Sequence, residues 1–145
     1  MKYQLTGVIA AVAMLTVSAV NGASPYDGKT NLLCTVQELY ECASQAGCQE
    51  ALAQDMARIR HLVFDFKAGA VKKPEKEATA NSSIKSVEVI DNLLIVQGWD
   101  AGFPEVEDGG GWSMSVNRTY GTMTAAISGH DVGFVGLGSC IAGGK

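Results

Sequence analysis

Histidine is scarce in this chain, and the histidines present fit no catalytic pattern. The 145 residues include two, His61 and His130. His130 and Asp131 stand close to Ser128, but the three are adjacent in one turn, and no serine has the G-x-S-x-G surroundings of a nucleophile elbow. We therefore interpret residues 128–131 as a polar turn and predict that the chain is not an enzyme.

The sequence also lacks the motifs that hold common cofactors. It has no C-x-x-C for thiol redox chemistry, and its glycines match neither G-x-G-x-x-G nor G-x-x-x-x-G-K-[ST]. Basic residues are outnumbered, because 11 Lys and Arg stand against 15 Asp and Glu, giving a formal net charge of −4. Phosphate backbones and anionic lipids require a basic face, so this balance argues against both as partners. We predict no cofactor and no bound metal.

Only one long apolar run occurs, and it stands at the start of the chain. A basic residue precedes the apolar stretch 5–20, and small residues follow it. This arrangement is typical of a secretory signal peptide rather than a membrane span. We predict a signal peptide over residues 1–23, a single domain over residues 24–145 and no membrane span after cleavage. The expected location is the periplasm or the extracellular space.

Four cysteines, Cys34, Cys42, Cys48 and Cys140, predict two disulfide bonds in an exported chain. Three pairings exist for four cysteines, and the sequence alone does not choose among them. We prefer Cys42–Cys48, which would close a short loop, together with Cys34–Cys140, which would tie the first strand to the last. A zinc site is the less favoured alternative, because the spacing is loose and the fourth thiol is distant.

Alternation of apolar and polar residues predicts an all-β domain. Trp112, Met114 and Val116 alternate with polar residues, and residues 111–140 contain three such segments separated by turns. The predicted fold is an antiparallel meander of about seven or eight strands. Helical spacing of apolar residues within 50–59 allows at most one short helix.

Glycines in the last segment leave two architectures open. Gly133, Gly136 and Gly138 lie within one predicted strand, where glycine often marks a bend or a close backbone approach. They are typical of a tightly curved sheet, as in a small closed barrel, but a sandwich edge would accommodate them equally well.

The candidate contact site is the acidic loop at residues 100–111. Its members are Asp100, Phe103, Glu105, Glu107 and Asp108. An exposed loop with an apolar tip and acidic flanks is typical of a protein-contact element. The carboxylates could instead bind calcium or form a pair for glycoside hydrolysis, but they fit no EF-hand spacing and stand in a loop.

Two tryptophans flank this loop. We predict that Trp99 and Trp112 are core anchors rather than contact residues, because large aromatic side chains dominate small cores.

Several stretches together resemble a group of small uncharacterised secreted proteins of proteobacteria. They are a leading LLC, a short EC…C segment, an FDFK strand and the final GWSMSV…GTMTAAISGHDVGFVGLGSC. The similarity spans most of the chain after the predicted signal peptide. It implies export, but it carries no activity, ligand or site residue to this chain.

The sequence therefore predicts an exported, non-enzymatic binding or structural module. Its partner would be an unknown protein or envelope component, contacted through residues 100–111. The alternatives are a lipocalin-like carrier of a small apolar ligand and, less favoured, a small hydrolase that uses the loop carboxylates.

Overall fold

The computed structural model of the protein describes residues 23–74, 82–102 and 109–143. They form nine β-strands and one short α-helix, which confirms the all-β class. In chain order the elements are β1 Leu32–Ala43, β2 Gly47–Glu50, α1 Ala53–Ile59, β3 His61–Asp65, β4 Ala70–Lys72, β5 Ser82–Ile90, β6 Leu93–Asp100, β7 Gly110–Asn117, β8 Thr122–Ser128 and β9 Val132–Ala142. The predicted signal peptide lies outside the described residues, except for its last residue.

Eight of the nine strands close into an antiparallel barrel. β1 pairs with β3, each later strand pairs with the next, and β9 returns to pair with β1. β2 lies outside this ring and pairs with the second half of β1, on the edge that β3 leaves free. Because β9 pairs with β1, the architecture is a closed barrel and not a sandwich.

The first and last strands form the longest ladder of the barrel, which we call the seam. β1 and β9 pair from Leu32 opposite Ala142 to Ala43 opposite Val132. The disulfide between Cys34 and Cys140 lies in this ladder, with a Cα–Cα distance of 4.0 Å. These cysteines are 0% and 2% exposed, so the bond belongs to the core. A second disulfide joins Cys42 to Cys48 across β1 and β2, and both preferred pairings are confirmed.

Glycine allows the two seam strands to approach closely. The register of β1 against β9 shifts between Val36 and Glu38, where Gly138 and Leu137 stand opposite. A Cβ atom at Gly138 would collide with the carbonyl oxygen of Thr35. The close backbone approach predicted from the glycines of the last strand is confirmed at this position.

The barrel interior is filled by apolar side chains from all around the ring. Among the described residues no polar or charged side chain is buried there. The buried members of the core are Leu32, Cys34, Val36, Leu39, Phe64, Val71, Leu94, Val96, Met114, Val116, Met123 and Cys140. Met56 and Ile59 of α1 pack against this cluster, so the helix contributes to the core.

The turns alternate between two ends of the barrel, because neighbouring strands are antiparallel. We call the end with the turns after β6 and β8 the loop end, and the other end, with the turns after β5 and β7, the strap end. At the strap end lies a segment that precedes β1, residues 24–31, which we call the strap.

Hydrogen bonds fasten the strap to both the seam and the β7–β8 turn. The Tyr26 hydroxyl donates to the carbonyl oxygen of Cys140 at 2.9 Å. Arg118 Nε donates to the carbonyl oxygen of Tyr26 at 3.0 Å, and Ser24 Oγ donates to the carbonyl oxygen of Arg118 at 2.8 Å. Tyr26 also packs against the core, so the strap contributes to covering this end of the barrel.

The Gly138→Ala variant is expected to be less stable than the wild type by about 1–3 kcal/mol, the usual cost of forcing extra volume into a packed site. Its added methyl group would push against the backbone at Thr35. Gly133→Ala in the same strand is the control, because its Cβ would lie 3.4 Å from the carbonyl oxygen of Ile127, an ordinary contact. Urea unfolding monitored by circular dichroism measures both variants. Wild-type stability in Gly138→Ala would contradict the close approach.

A second prediction concerns Asp27, whose Oδ1 accepts hydrogen bonds from the backbone N–H groups of Lys29 and Thr30, both at 2.8 Å. These hydrogen bonds, the one from Thr30 foremost, hold the pKa of Asp27 below its ordinary value. A carboxyl with a lowered folded-state pKa stabilises the fold above its unfolded pKa of about 3.9. This contribution is lost as the pH falls through the folded-state pKa.

Asp27→Asn should therefore destabilise the protein at pH 7 and make a smaller difference at pH 2. The measurement is the free energy of unfolding of wild type and variant, from urea titrations at each pH. A difference between the two proteins that does not shrink on acidification would contradict a lowered pKa in the folded state.

Candidate binding surface

The structure describes the stem of the predicted contact loop. Asp100 is the last residue of β6 and stands opposite Gly110, the first residue of β7. Its Oδ1 accepts a hydrogen bond from the backbone N–H of Gly102 at 2.8 Å, which closes a local turn. The remaining predicted site residues, Phe103, Glu105, Glu107 and Asp108, lie outside the described residues.

Trp112 is one of the aromatic residues of the barrel interior. It stands opposite Gly98 in the β6–β7 ladder, and a Cβ atom at Gly98 would collide with its ring. The ring meets Phe64 edge-on, with centroids 5.9 Å apart. The Trp112 Nε1–H donates to Ser82 Oγ at 2.8 Å. The prediction that Trp112 anchors the core is confirmed, since its ring packs on the core and its N–H is satisfied.

Trp99 lies on the outer face of the barrel, and the prediction that it is a core anchor is wrong. Its side chain is 45% exposed. It stands opposite Gly111, but nothing from its ring comes within 4 Å of a Cβ built on that glycine. The Lys85 ammonium lies 5.8 Å from the centroid of the Trp99 ring, within cation–π range. A half-exposed indole therefore stands at the base of the 100–111 loop.

The alternation of β6 and β7 contains the signal that separates the two tryptophans. Leu94 and Val96 are buried, so Trp99 falls on the other face of β6 by parity. Met114 and Val116 are buried, and Trp112 shares their parity. Since alternate residues of a strand share a face, Trp112 lies on the face of the buried residues of β7, and Trp99 lies on the face away from the buried residues of β6. This alternation would have identified Trp99 as the exposed tryptophan.

Next to Trp99, a shallow trough crosses the outer face of β6, β7 and β8. It measures about 270 Å³, and no charged side chain lines it. Its outward-facing lining residues are Ile95, Gln97, Ser113, Ser115, Thr124 and Ala126. Gln97 and Trp99 lie two residues apart on the same face of β6, so the trough adjoins the exposed indole.

Beyond the trough, Tyr40 of β1 presents its hydroxyl on the outer face. It donates to Glu38 Oε2 at 3.1 Å. This hydrogen bond, assisted by the negative charge of Glu38, raises the pKa of Tyr40 above its ordinary value of about 10. The phenol is therefore a neutral polar group at physiological pH rather than a reactive one.

The interior offers little room for a ligand. The described residues enclose a space of about 40 Å³ beside Ile59 of α1, lined by apolar side chains and Gly136. A single water takes about 30 Å³ of liquid, whereas small-molecule sites measure roughly 300–1,000 Å³. The interior of this barrel is therefore a packed core.

No cluster of potential metal ligands occurs within the described ranges, where no group of three or more His, Cys, Asp or Glu side chains could hold an ion. His61 Nδ1 lies 3.1 Å from Thr35 Oγ1 on an exposed part of the wall. His130 and Asp131 lie in the turn between β8 and β9, as predicted.

These features define a class of protein: a small, closed, disulfide-bonded β-barrel with a filled interior. No protein-family model, curated protein or solved structure matches the chain. The resemblance to secreted proteobacterial proteins therefore stays a prediction.

In the part of the chain that the structure describes, no helix has the length and apolar character needed to cross a bilayer. The two disulfides are compatible with an oxidising compartment outside the cytoplasm.

The two tryptophans should differ sharply in their access to solvent. In Trp99→Phe only the half-buried, hydrogen-bonded Trp112 remains, so the emission maximum should move to shorter wavelength. Quenching by acrylamide should fall several-fold relative to the wild type. Circular dichroism checks that the variant keeps its fold. An unchanged quenching constant would show that Trp99 is not the exposed ring.

Proposed function

We propose that the protein is an exported, non-enzymatic binding module of the periplasm or extracellular space. It contacts a protein or envelope component through Trp99 and the neighbouring loop 100–111. The exposure of Trp99 is the observation that carries this proposal. The two disulfides support the oxidising location, and the apolar run at residues 5–20 supports export.

An exposed tryptophan at the base of a loop favours a contact role. Tryptophan is enriched at the centres of protein interfaces, where burial of its large ring contributes strongly to affinity. Trp112, in the next strand, packs its ring against Phe64 and donates its N–H to Ser82. The Trp99 side chain, in contrast, is 45% exposed. A partner that covers Trp99 would remove this apolar area from water.

The surroundings of Trp99 indicate the character of the partner surface. The loop that follows it contains Asp100, Glu105, Glu107 and Asp108, and the adjoining trough has no charged side chain. A complementary surface has an apolar pocket for the indole and basic residues that face the loop. Charge pairs of this kind mainly increase the association rate and the specificity.

The filled interior favours binding on the outer surface over the lipocalin-like alternative. A carried ligand needs several hundred Å³, and the interior space measures about 40 Å³. The hydrolase alternative needs two carboxyl groups facing each other across a cleft. Asp100, the one loop carboxylate within the described residues, instead accepts a hydrogen bond from Gly102.

Trp99→Ala should abolish capture of a partner that the wild type retrieves from extracytoplasmic extract. With that partner purified, Trp99→Ala should weaken the dissociation constant by about 30-fold, the effect of losing a 2 kcal/mol hot spot. Tyr120→Ala is the matched control, because Tyr120 is also an exposed aromatic residue, at 77%, but lies in the β7–β8 turn at the strap end. Isothermal titration calorimetry provides both affinities.

Phe103→Ala tests the tip of the same loop, and it should weaken the same complex. Equal affinity in wild type, Trp99→Ala and Phe103→Ala would contradict this surface. A loss of affinity in Tyr120→Ala alone would move the contact to the strap end.

A further inference from the structure

The ladder between β4 and β5 is the shortest of the barrel. β4 has three residues and pairs only with Ser82 and Ser83, and one further hydrogen bond joins Ile84 N–H to the carbonyl oxygen of Gly69. Within the described residues, the backbone of positions 85–90 pairs with β6 on one side only. Among the described residues this leaves an unpaired strand edge about 20 Å long, at 3.4 Å per residue, which runs towards the strap end.

Apolar side chains accompany this edge. Val87 and Val89 stand opposite Val96 and Leu94, so they point to the inner face. Their partners on β6 are fully buried, yet Val89 is 45% exposed. On the outer face, Ile90 at the end of the strand is 49% exposed and stands opposite the exposed Leu93. A Cβ atom built on Gly28 of the strap would collide with the Val87 side chain, so the strap lies against the inner face at Val87. Among the described residues, Val89 is the inner-face position of β5 that is left half-exposed.

Strand edges of this kind are usually blunted by short length, proline, bulges or charge. In β5 a register irregularity between Ile84 and Ser86 marks the start of the free edge. From Ser86 to Ile90 the pairing with β6 is regular, and the segment contains no proline and one charged residue, the exposed Glu88. This segment is therefore geometrically competent to accept another strand.

We propose that the free edge of β5 pairs antiparallel with β5 of a second copy, forming a two-fold symmetric dimer. Symmetric pairing through one edge is the simplest closed arrangement of identical chains. In the proposed register Val87, near the middle of the segment 85–90, lies on the two-fold axis opposite Val87 of the second copy, and opposite residues share a face. The inner faces of the two barrels then become continuous across the dimer.

Charge complementarity supports a second copy as the occupant. With Val87 on the two-fold axis, Ser86 stands opposite Glu88 of the second copy, and Lys85 stands beside that pair. Lys85 and Glu88 are both exposed, so each copy offers a cation to the other copy's carboxylate, twice in the dimer. The contact of Lys85 with Trp99, at 5.8 Å, is of the exposed cation–π kind and weak enough to exchange for an ion pair.

The dimer edge and the proposed contact site adjoin at Lys85, which contacts Trp99, but they depend on different residues: Val87 and Glu88 for the dimer, Trp99 and loop 100–111 for the partner. The edge residues lie towards the strap end, whereas the loop leaves the barrel at the loop end. The dimer can therefore fail its test while partner binding stands, and partner binding can fail while the dimer stands.

Sedimentation velocity of the purified, disulfide-bonded protein, over a range of concentrations, tests the dimer. The wild type should reach twice the monomer mass as concentration rises. Glu88→Lys should raise the dimer dissociation constant at least tenfold, because the new lysine would face Lys85 of the other copy. The double variant Lys85→Glu/Glu88→Lys should restore it, because the charges are then exchanged and again complementary. Asp131→Lys, the same charge change at an exposed position of the β8–β9 turn, should leave it intact.

Hydrogen exchange locates the interface independently. Amides of residues 86–90 should exchange at least tenfold more slowly at concentrations where the dimer forms, while those of β7 should not change. A wild type that stays monomeric at all concentrations overturns the proposal. So does a dimer that survives Glu88→Lys, a double variant that remains monomeric, or an edge whose exchange is independent of concentration.

Discussion

The whole fold depends on one pairing, the ladder between the first and the last strand. An open sheet of this length would expose two edges and half of its apolar face, whereas the seam joins the edges and encloses the core. Two features make it close: Gly138 lets the backbones approach, and the buried Cys34–Cys140 bond fixes the two strands at one point. The bond spans 106 residues, so in the chain-entropy account it removes a large share of the freedom of the unfolded chain.

Local patterns predicted the strands well, but not how they meet. Alternation identified the strands of the second half of the chain and their turns, because each depends on neighbours within a few residues. β2 was missed, since its four exposed residues follow no apolar alternation and it forms by pairing with β1 across a disulfide. The sequence left the barrel and the sandwich open, because closure joins residues more than a hundred positions apart and local alternation does not report on it.

The candidate site was predicted in part. The position of the 100–111 loop between two strands is confirmed by its stem at Asp100 and Gly110. The role given to Trp99 was wrong, because tryptophan was assigned to the core by residue type and not by its parity in β6. A glycine opposite each tryptophan gives both rings space, but only Trp112 occupies it. Side-chain direction, set by the pleat, therefore decided which aromatic residue is available to a partner.

The order in which the cysteines are synthesised has a further consequence for maturation. Chains are made from the N-terminus, so Cys34, Cys42 and Cys48 are available for oxidation long before Cys140. During that interval any intramolecular bond formed by Cys34 is a non-native one, since its native partner stands two residues before the end of β9. Such a bond can be corrected only by thiol–disulfide exchange after synthesis is complete. Molecules truncated before Cys140 therefore have no route to the native pairing of Cys34.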